Sequence, residues 1–146
     1  MESVREMFEN DQFAKHANIE LVSVSEGRAV AQMTLQPHHL NGLHIAQGGA
    51  IFTLADFAFA AAANSHGAVA VAANVSISFM KAASSGTLRA EAREVARNFR
   101  LGTYTVEVRD EPGDLIAFFQ GLAYRKSEKT EDHAKLRSSD GRSSPG

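Results

Sequence analysis

The chain of 146 residues has no cysteine. That excludes disulfides, thiolate metal sites, iron–sulfur clusters and a cysteine nucleophile, and it fits a reducing compartment. Positive charge is not in excess either: 15 Lys and Arg stand against 17 Asp and Glu, a formal net charge of -2. Sequence-independent binding to nucleic acid is driven by a basic surplus, so no nucleic-acid partner is expected. A long apolar run is missing as well. Residues 57–80 carry no formal charge, but Asn64, Ser65, His66 and Gly67 interrupt them before a span of about 20 apolar residues can form, so no membrane helix is expected. The opening "MESVREMFENDQFAKHANIE" is charged throughout and lacks the basic, apolar and small-residue succession of a secretory signal, which reads as cytoplasmic. His38, His39, His44 and His66 have no HExxH or comparable ligand spacing, so neither a metal nor a cofactor is expected. His44 and the His38–His39 pair read as loop residues near a site mouth, and His66 as a polar helix end.

What is present is the balance of one soluble domain, with 44% hydrophobic and 22% charged residues. Val4, Met7, Phe8 and Phe13 predict a short amphipathic helix within residues 2–16. "IELVSVSEGRAVAQMTL" reads as a hairpin turning at Glu26 and Gly27, and "QPHHLNGLHIAQGG" as a long loop feeding a helix. That helix, from about Gly49 to Ser65, is apolar on every side except at Thr53 and Asp56, the pattern of a helix wrapped by other structure. Four further strands follow, in "AVAVAANVSISFMK", "TLRAEAREVARNFRLGTYTVEVRD" (two, turning near Asn98) and "LIAFFQGLAYRK". The fold class is therefore α+β, an antiparallel sheet curled around a long central helix. Residues 1–126 form the single domain. Ser127 to Gly146 have almost nothing apolar to bury and read as a disordered tail.

Asp56 is the anomaly. A carboxylate in an apolar helix costs several kcal/mol or more unless it is compensated or put to use. A second clue is the Gly48–Gly49 pair opening the helix, where amides without intrahelical acceptors carry the positive end of the helix dipole. Glycine lets a ligand oxygen approach them, although a tight turn or close packing explains such a pair equally well. Gly48 and Asp56 are eight positions apart, about 12 Å along a helix at roughly 1.5 Å per residue, so one carbonyl cannot touch both. Two copies of the helix running antiparallel across a two-fold axis would bring them together twice. If both residues serve one site, the spacing argues for a dimer.

"LNGLHIAQGGAIFTLADFAFAAAANSHG", with "NVSISFMK" after it, resembles the PaaI-like branch of hotdog-fold acyl-CoA thioesterases: an Asn, a gap, HGG, and an Asp in the central helix. The likeness runs from about Phe13 to Lys126. It implies hydrolysis of acyl- or aryl-CoA thioesters, with coenzyme A as part of the substrate, and homodimers often paired into homotetramers. It places Asp56 on the catalytic carboxylate, Gly48 on the amide that polarises the thioester carbonyl, and Asn41 on the loop amide that holds the water or the carbonyl. Gln47 stands where the pattern has histidine. Glutamine donates a hydrogen bond but takes no proton near neutral pH, so positioning is open to it and acid/base work is not. Ala72 falls where some relatives carry a hydroxyl, which leaves Asn74 and Ser76 as substitutes. Gly49 and His44 are further substrate-binding candidates. Arg97, Arg100 and Lys126 have the chemistry to meet coenzyme A phosphates, or simply form a solvated face. Phe52, Phe57 and Phe59 read as core and acyl-pocket lining.

The chemistry stands without the resemblance too. A thiol has a pKa of about 8.5, so the departing thiolate needs little protonation and no Ser–His–Asp triad is required. A carboxylate acting as general base on water, or as nucleophile through an anhydride, together with one amide donor for the oxyanion, is sufficient. Two other readings stay beside it. One is a non-catalytic acyl-CoA sensor with Asp56 at a dimer interface. The other is a dehydratase or hydratase, for which the histidine–acid pair is absent.

Overall fold

The computed structural model describes residues 1–133. Two helices stand where the sequence predicted one: α1 (Glu2–Glu9) and α2 (Gln12–His16). They part at Asp11, whose side chain accepts the Ala14 N–H at 2.9 Å and so caps α2. The predicted hairpin is β1 (Ile19–Ser25) and β2 (Arg28–Thr34). After a loop with one 3-10 turn at Pro37–His39 comes α3 (Gly48–Ala63), then β3 (Ala68–Phe79), β4 (Thr87–Arg97), β5 (Leu101–Arg109) and β6 (Leu115–Lys129). All six strands join one antiparallel sheet in the order β1-β2-β4-β5-β6-β3. β6 runs past the expected boundary at Lys126, pairing Lys129 with Ala68. Beyond it the Thr130 N–H donates to Gly67 O. The rest of the expected tail, 134–146, lies outside the described residues.

The sheet takes α3 because its strands alternate. Ala29, Ala31 and Met33 of β2, Leu88, Ala90 and Ala92 of β4, and Tyr104, Val106 and Val108 of β5 are all buried at every second position. The alanines of β2 and β4 keep that surface shallow, which leaves room for the Leu54, Phe57 and Phe59 side chains, themselves buried. The C-terminal end of α3 is bolted in two directions. Asn64 donates to Ala60 O and Ala70 O and accepts the Ala70 N–H, so it ties the helix to β3. The Ser65 hydroxyl accepts the Gly27 N–H at 2.7 Å and donates to Ala62 O, so it ties the helix to the β1–β2 turn. His39 corrects an expectation. It is 3% exposed and its ring does not open onto a site mouth, although its carbonyl accepts the Gln47 N–H: Nδ1 accepts the Gln36 N–H, which leaves Nε2 to donate to Ala17 O at 2.6 Å.

β3 is an edge strand, and most of it is exposed, with Val71 at 42% and Phe79 at 52%. An edge of that length with apolar side chains is a template for another chain.

Gly121 of β6 sits directly under the Phe59 ring. A Cβ built there meets two ring carbons at 2.7 Å, closer than real Cβ atoms come. Gly121→Ala is therefore expected to push Phe59 off its seat and to destabilise the domain by about 1–3 kcal/mol, the usual cost of overpacking, measured as a shift in the urea midpoint.

Candidate active site

Asp56 stands half-buried on α3, at the edge of a cavity of about 340 Å³. α3 gives this cavity Phe59, Ala60 and Ala63, β3 gives residues 69–72, and β6 gives Ala123. The Asp56 carboxylate has no hydrogen-bond donor among the described residues. Burial, and secondarily the negative charge of Asp11, holds its pKa above the ordinary value of 3.8. A carboxylate that is partly desolvated, unpaired and raised is a better proton acceptor than one on the surface.

The N-terminal end of α3 opens into a second cavity, of about 350 Å³, formed with Asn41, Ile45 and the end of β3 at Phe79 and Met80. No residue lines both cavities. Gln47 is the N-cap of α3, and its side-chain oxygen accepts the Gly49 N–H. The Gln47 carbonyl takes the Ala50 and Ile51 N–H groups. The Gly48 N–H is the amide of this first turn with no acceptor among the described residues, and Gly48 lines the cavity at the positive end of the helix dipole. A side chain at Gly48 would be tightly placed, since a Cβ would lie 3.3 Å from the Phe79 ring and would require that ring to shift. Asn41 closes the loop on itself: its Oδ1 accepts the Leu43 N–H at 2.8 Å and the Ile45 N–H at 3.4 Å. That network orients the amide and leaves its NH2 as a donor beside Gly48.

The structure thus brings Asn41 and Gly48 together and keeps Asp56 apart from them. Gln47 and Gly49 are paired with each other. His44 is exposed in the same loop at φ 63°, with its N–H donated to Asn41 O. Asn74 and Ser76 line neither cavity. A bulge between Ala72 and Asn74 shifts the register, so Ala72 stays on the Asp56 side while Val75 and Ile77 pack inward and Asn74 and Ser76 point away. Arg97 and Arg100 lie at the β4–β5 tip: Arg97 faces Glu94 at 3.5 Å, and Arg100 covers the Phe99 ring at 4.7 Å. Arg125, beside that tip, donates to Asn98 O and Phe99 O. His66 follows the helix end, where its Nε2 lies 2.7 Å from Glu94. Burial works against the ionised Glu94, but hydrogen bonds from His66 and Tyr104 prevail and hold its pKa below the ordinary value. The sequence reading missed Met7 and Phe8, which wall the Asp56 cavity, and Phe79 and Lys81 at the Gly48 cavity. The helical spacing of Val4, Met7 and Phe8 signalled a packed face without saying what it covers. Among the described residues no group of His, Asp and Glu is arranged to hold a metal, and no helix is long and apolar enough to cross a membrane.

An antiparallel sheet around one long helix, with a free amide at the helix start and one acid two turns further on, is the hotdog architecture. The comparisons agree on its family. Residues 44–117 match the thioesterase superfamily. The acyl-coenzyme A thioesterase PaaI of Escherichia coli is 39% identical over 120 residues, which cover 82% of this chain and 86% of that one. A relative from Archaeoglobus fulgidus is 42% identical over 123 residues, 84% of this chain and 80% of its own. The structure of the E. coli PaaI protein superposes with a TM-score of 0.84 at 36% identity, covering 88% of this chain and 94% of that one. The chain belongs to the thioesterase superfamily and is a PaaI-like hotdog thioesterase, a hydrolase of thioesters.

The raised pKa of Asp56 has a consequence for stability. The folded state holds the Asp56 proton more tightly than the unfolded chain, so Asp56 lowers stability as pH rises through the interval above 3.8 and costs nothing below it. Asp56→Asn is expected to match or exceed the wild type in thermal midpoint at pH 7, with the difference vanishing toward pH 3, read by thermal melts across that range.

Proposed function

We propose that the protein hydrolyses acyl-CoA thioesters to the free acid and coenzyme A at sites shared by two copies of the chain. In each site Asp56 comes from one protomer, and the Gly48 N–H and Asn41 amide come from the other. The observation that carries this reading is the division of the machinery between two cavities that share no residue. One holds a raised, unpaired carboxylate. The other holds a free amide at a helix dipole and a carboxamide donor. Neither set alone both activates water and stabilises an oxyanion.

The edge strand supplies the symmetry. Residues 69–72 of β3 line the Asp56 cavity, and Phe79 and Met80 line the Gly48 cavity. A second copy laid antiparallel along β3, with the two-fold near Val75 and Ser76, sets each cavity against the other kind on the partner. It also covers the exposed Val71 and Phe79. The same axis satisfies the eight-residue separation of Gly48 and Asp56 on α3.

In such a site the thioester carbonyl accepts from the Gly48 N–H and the Asn41 amide. Asp56 either takes a proton from water as it adds to the carbonyl or adds directly to give an anhydride that water then opens. The carbon–sulfur bond breaks, and the thiolate leaves without needing an acid. Support for a coenzyme A ester comes from two relatives: the E. coli PaaI named above, and a Streptococcus mutans protein of known structure bound to acetyl CoA. The latter is 25% identical with a TM-score of 0.73, covering 77% of this chain and 91% of its own.

Asp56→Asn should lower kcat by roughly 100-fold or more, as for loss of a general base or nucleophile, with ester binding retained. Asp11→Asn keeps the α2 cap and removes a negative charge near Asp56, so the acid limb of the kcat/KM profile should move to lower pH. For the shared site, Asp56→Asn and a bulky Gly48 variant, each inactive, should regain activity when their subunits are exchanged. No recovery despite proven exchange places the site within one chain. A wild type that releases no thiol from any CoA ester overturns the proposal as a whole.

A further inference from the structure

We infer that helix α1 is part of the acyl-binding site and that Met7 sets the size of acyl group the enzyme accepts. This rests on the reading of the Asp56 cavity as half of a thioester hydrolase site. The floor of that cavity is one face of α3: Asp56, Phe59, Ala60 and Ala63 recur at the spacing i, i+3, i+4, i+7. From Asp56 to Ala63 the face is roughly 10 Å long, at about 1.5 Å per residue. Apart from Asp56, the polar side chain in the lining is that of Asn64, and its amide is committed to Ala60 and Ala70. The cavity therefore presents one free polar group, the carboxylate at its end, and otherwise apolar surface. The phosphates and ribose of a coenzyme A ester have nothing to bind there. An unbranched acyl chain of medium length does, with its carbonyl at Asp56.

Met7 and Phe8 are the lining residues that come from neither α3, the turn after it, β3 nor β6. α1 is firmly seated: Val4 is 2% exposed, and Phe8 meets the Phe57 ring edge-on at 5.5 Å. Met7 lies between these two anchors in sequence yet stays only partly buried, and it lines both the Asp56 cavity and a neighbouring one formed with Asn10, Asp11 and Gln12. Its unbranched, flexible side chain makes an adaptable wall. The wall comes from α1, whereas Asp56, Gly48 and Asn41 lie on α3 and the loop before it, so Met7 can be changed without replacing a proposed catalytic group.

The test measures kcat/KM for straight-chain CoA esters from acetyl to dodecanoyl, by thiol release, in the wild-type protein, Met7→Ala and Met7→Trp. Shortening the wall should move the preferred chain upward and raise the ratio of long-chain to short-chain kcat/KM by roughly 10-fold. Enlarging it should lower that ratio by a similar factor, since a methylene or two in a hydrophobic pocket is worth about that much. Ala60→Leu fills the same cavity from its floor and should act as Met7→Trp does, which keeps the test available if the tryptophan fails to fold. Loss of stability alone would depress all esters together. Opposite shifts in the ratio support the inference, whereas an unchanged ratio, or shifts of one sign in both Met7 variants, overturn it while the hydrolase reading stands. A wild type inactive on every ester removes the hydrolase reading and this inference with it.

Discussion

A helix with apolar side chains on nearly every face has no stable place in water, and the rest of the molecule follows from enclosing α3. The buried strand positions opposite it alternate with exposed ones, and many are alanine, so the sheet can approach the helix closely. Asn64 and Ser65 then fix the helix end to β3 and to the β1–β2 turn by buried hydrogen bonds, which sets how far α3 can slide or rotate. A rigidly held helix is what makes one carboxylate on it useful. Its carboxylate stays partly desolvated, and its position relative to β3 is defined.

The same enclosure explains why Asp56 and the Gly48 amide open into different cavities. A helix inside a sheet exposes itself only at its N-terminal end and along the flank that the edge strand leaves open. The N-terminal end carries the dipole and the free amide; the flank carries Asp56. In the proposed dimer a second copy supplies the missing half, and of the two edge strands, β1 and β3, it is β3 whose residues reach both cavities.

The fold was largely legible because its signals are periodic. The helix that is apolar except at Thr53 and Asp56, the Glu26–Gly27 turn and the alternating strands each stand where the sequence placed them. Asp56 and Gly48 were legible for a different reason, since a buried acid and a glycine at a helix start both carry costs that ask for an explanation. The less visible features depend on contacts between distant residues. Asn74 and Ser76 follow Ala72 at even spacing and should share its side of β3, but a bulge after Ala72 turns them outward, and nothing local in "AANVS" announces it. His39 lies in a loop that reads as a site mouth, yet it is held by Ala17, 22 residues earlier. Met7 was seen as one residue of an amphipathic helix, and only the docking of α1 on α3 shows which cavity it walls.

Gln47 brings these threads together. Glutamine is not among the preferred N-cap residues, and where the family pattern has histidine it looks like a loss. In the structure its side chain takes the Gly49 N–H, which removes one of the two glycine amides from competition and leaves Gly48 as the donor that lines the cavity. Directing the dipole through one amide needs no proton transfer at position 47, and thioester cleavage asks for none there, because the leaving thiolate is stable in water near neutral pH. A substitution that would disable an enzyme cleaving amides, whose leaving group must be protonated, is therefore compatible with a thioesterase in which the only proton to be moved belongs to the attacking water.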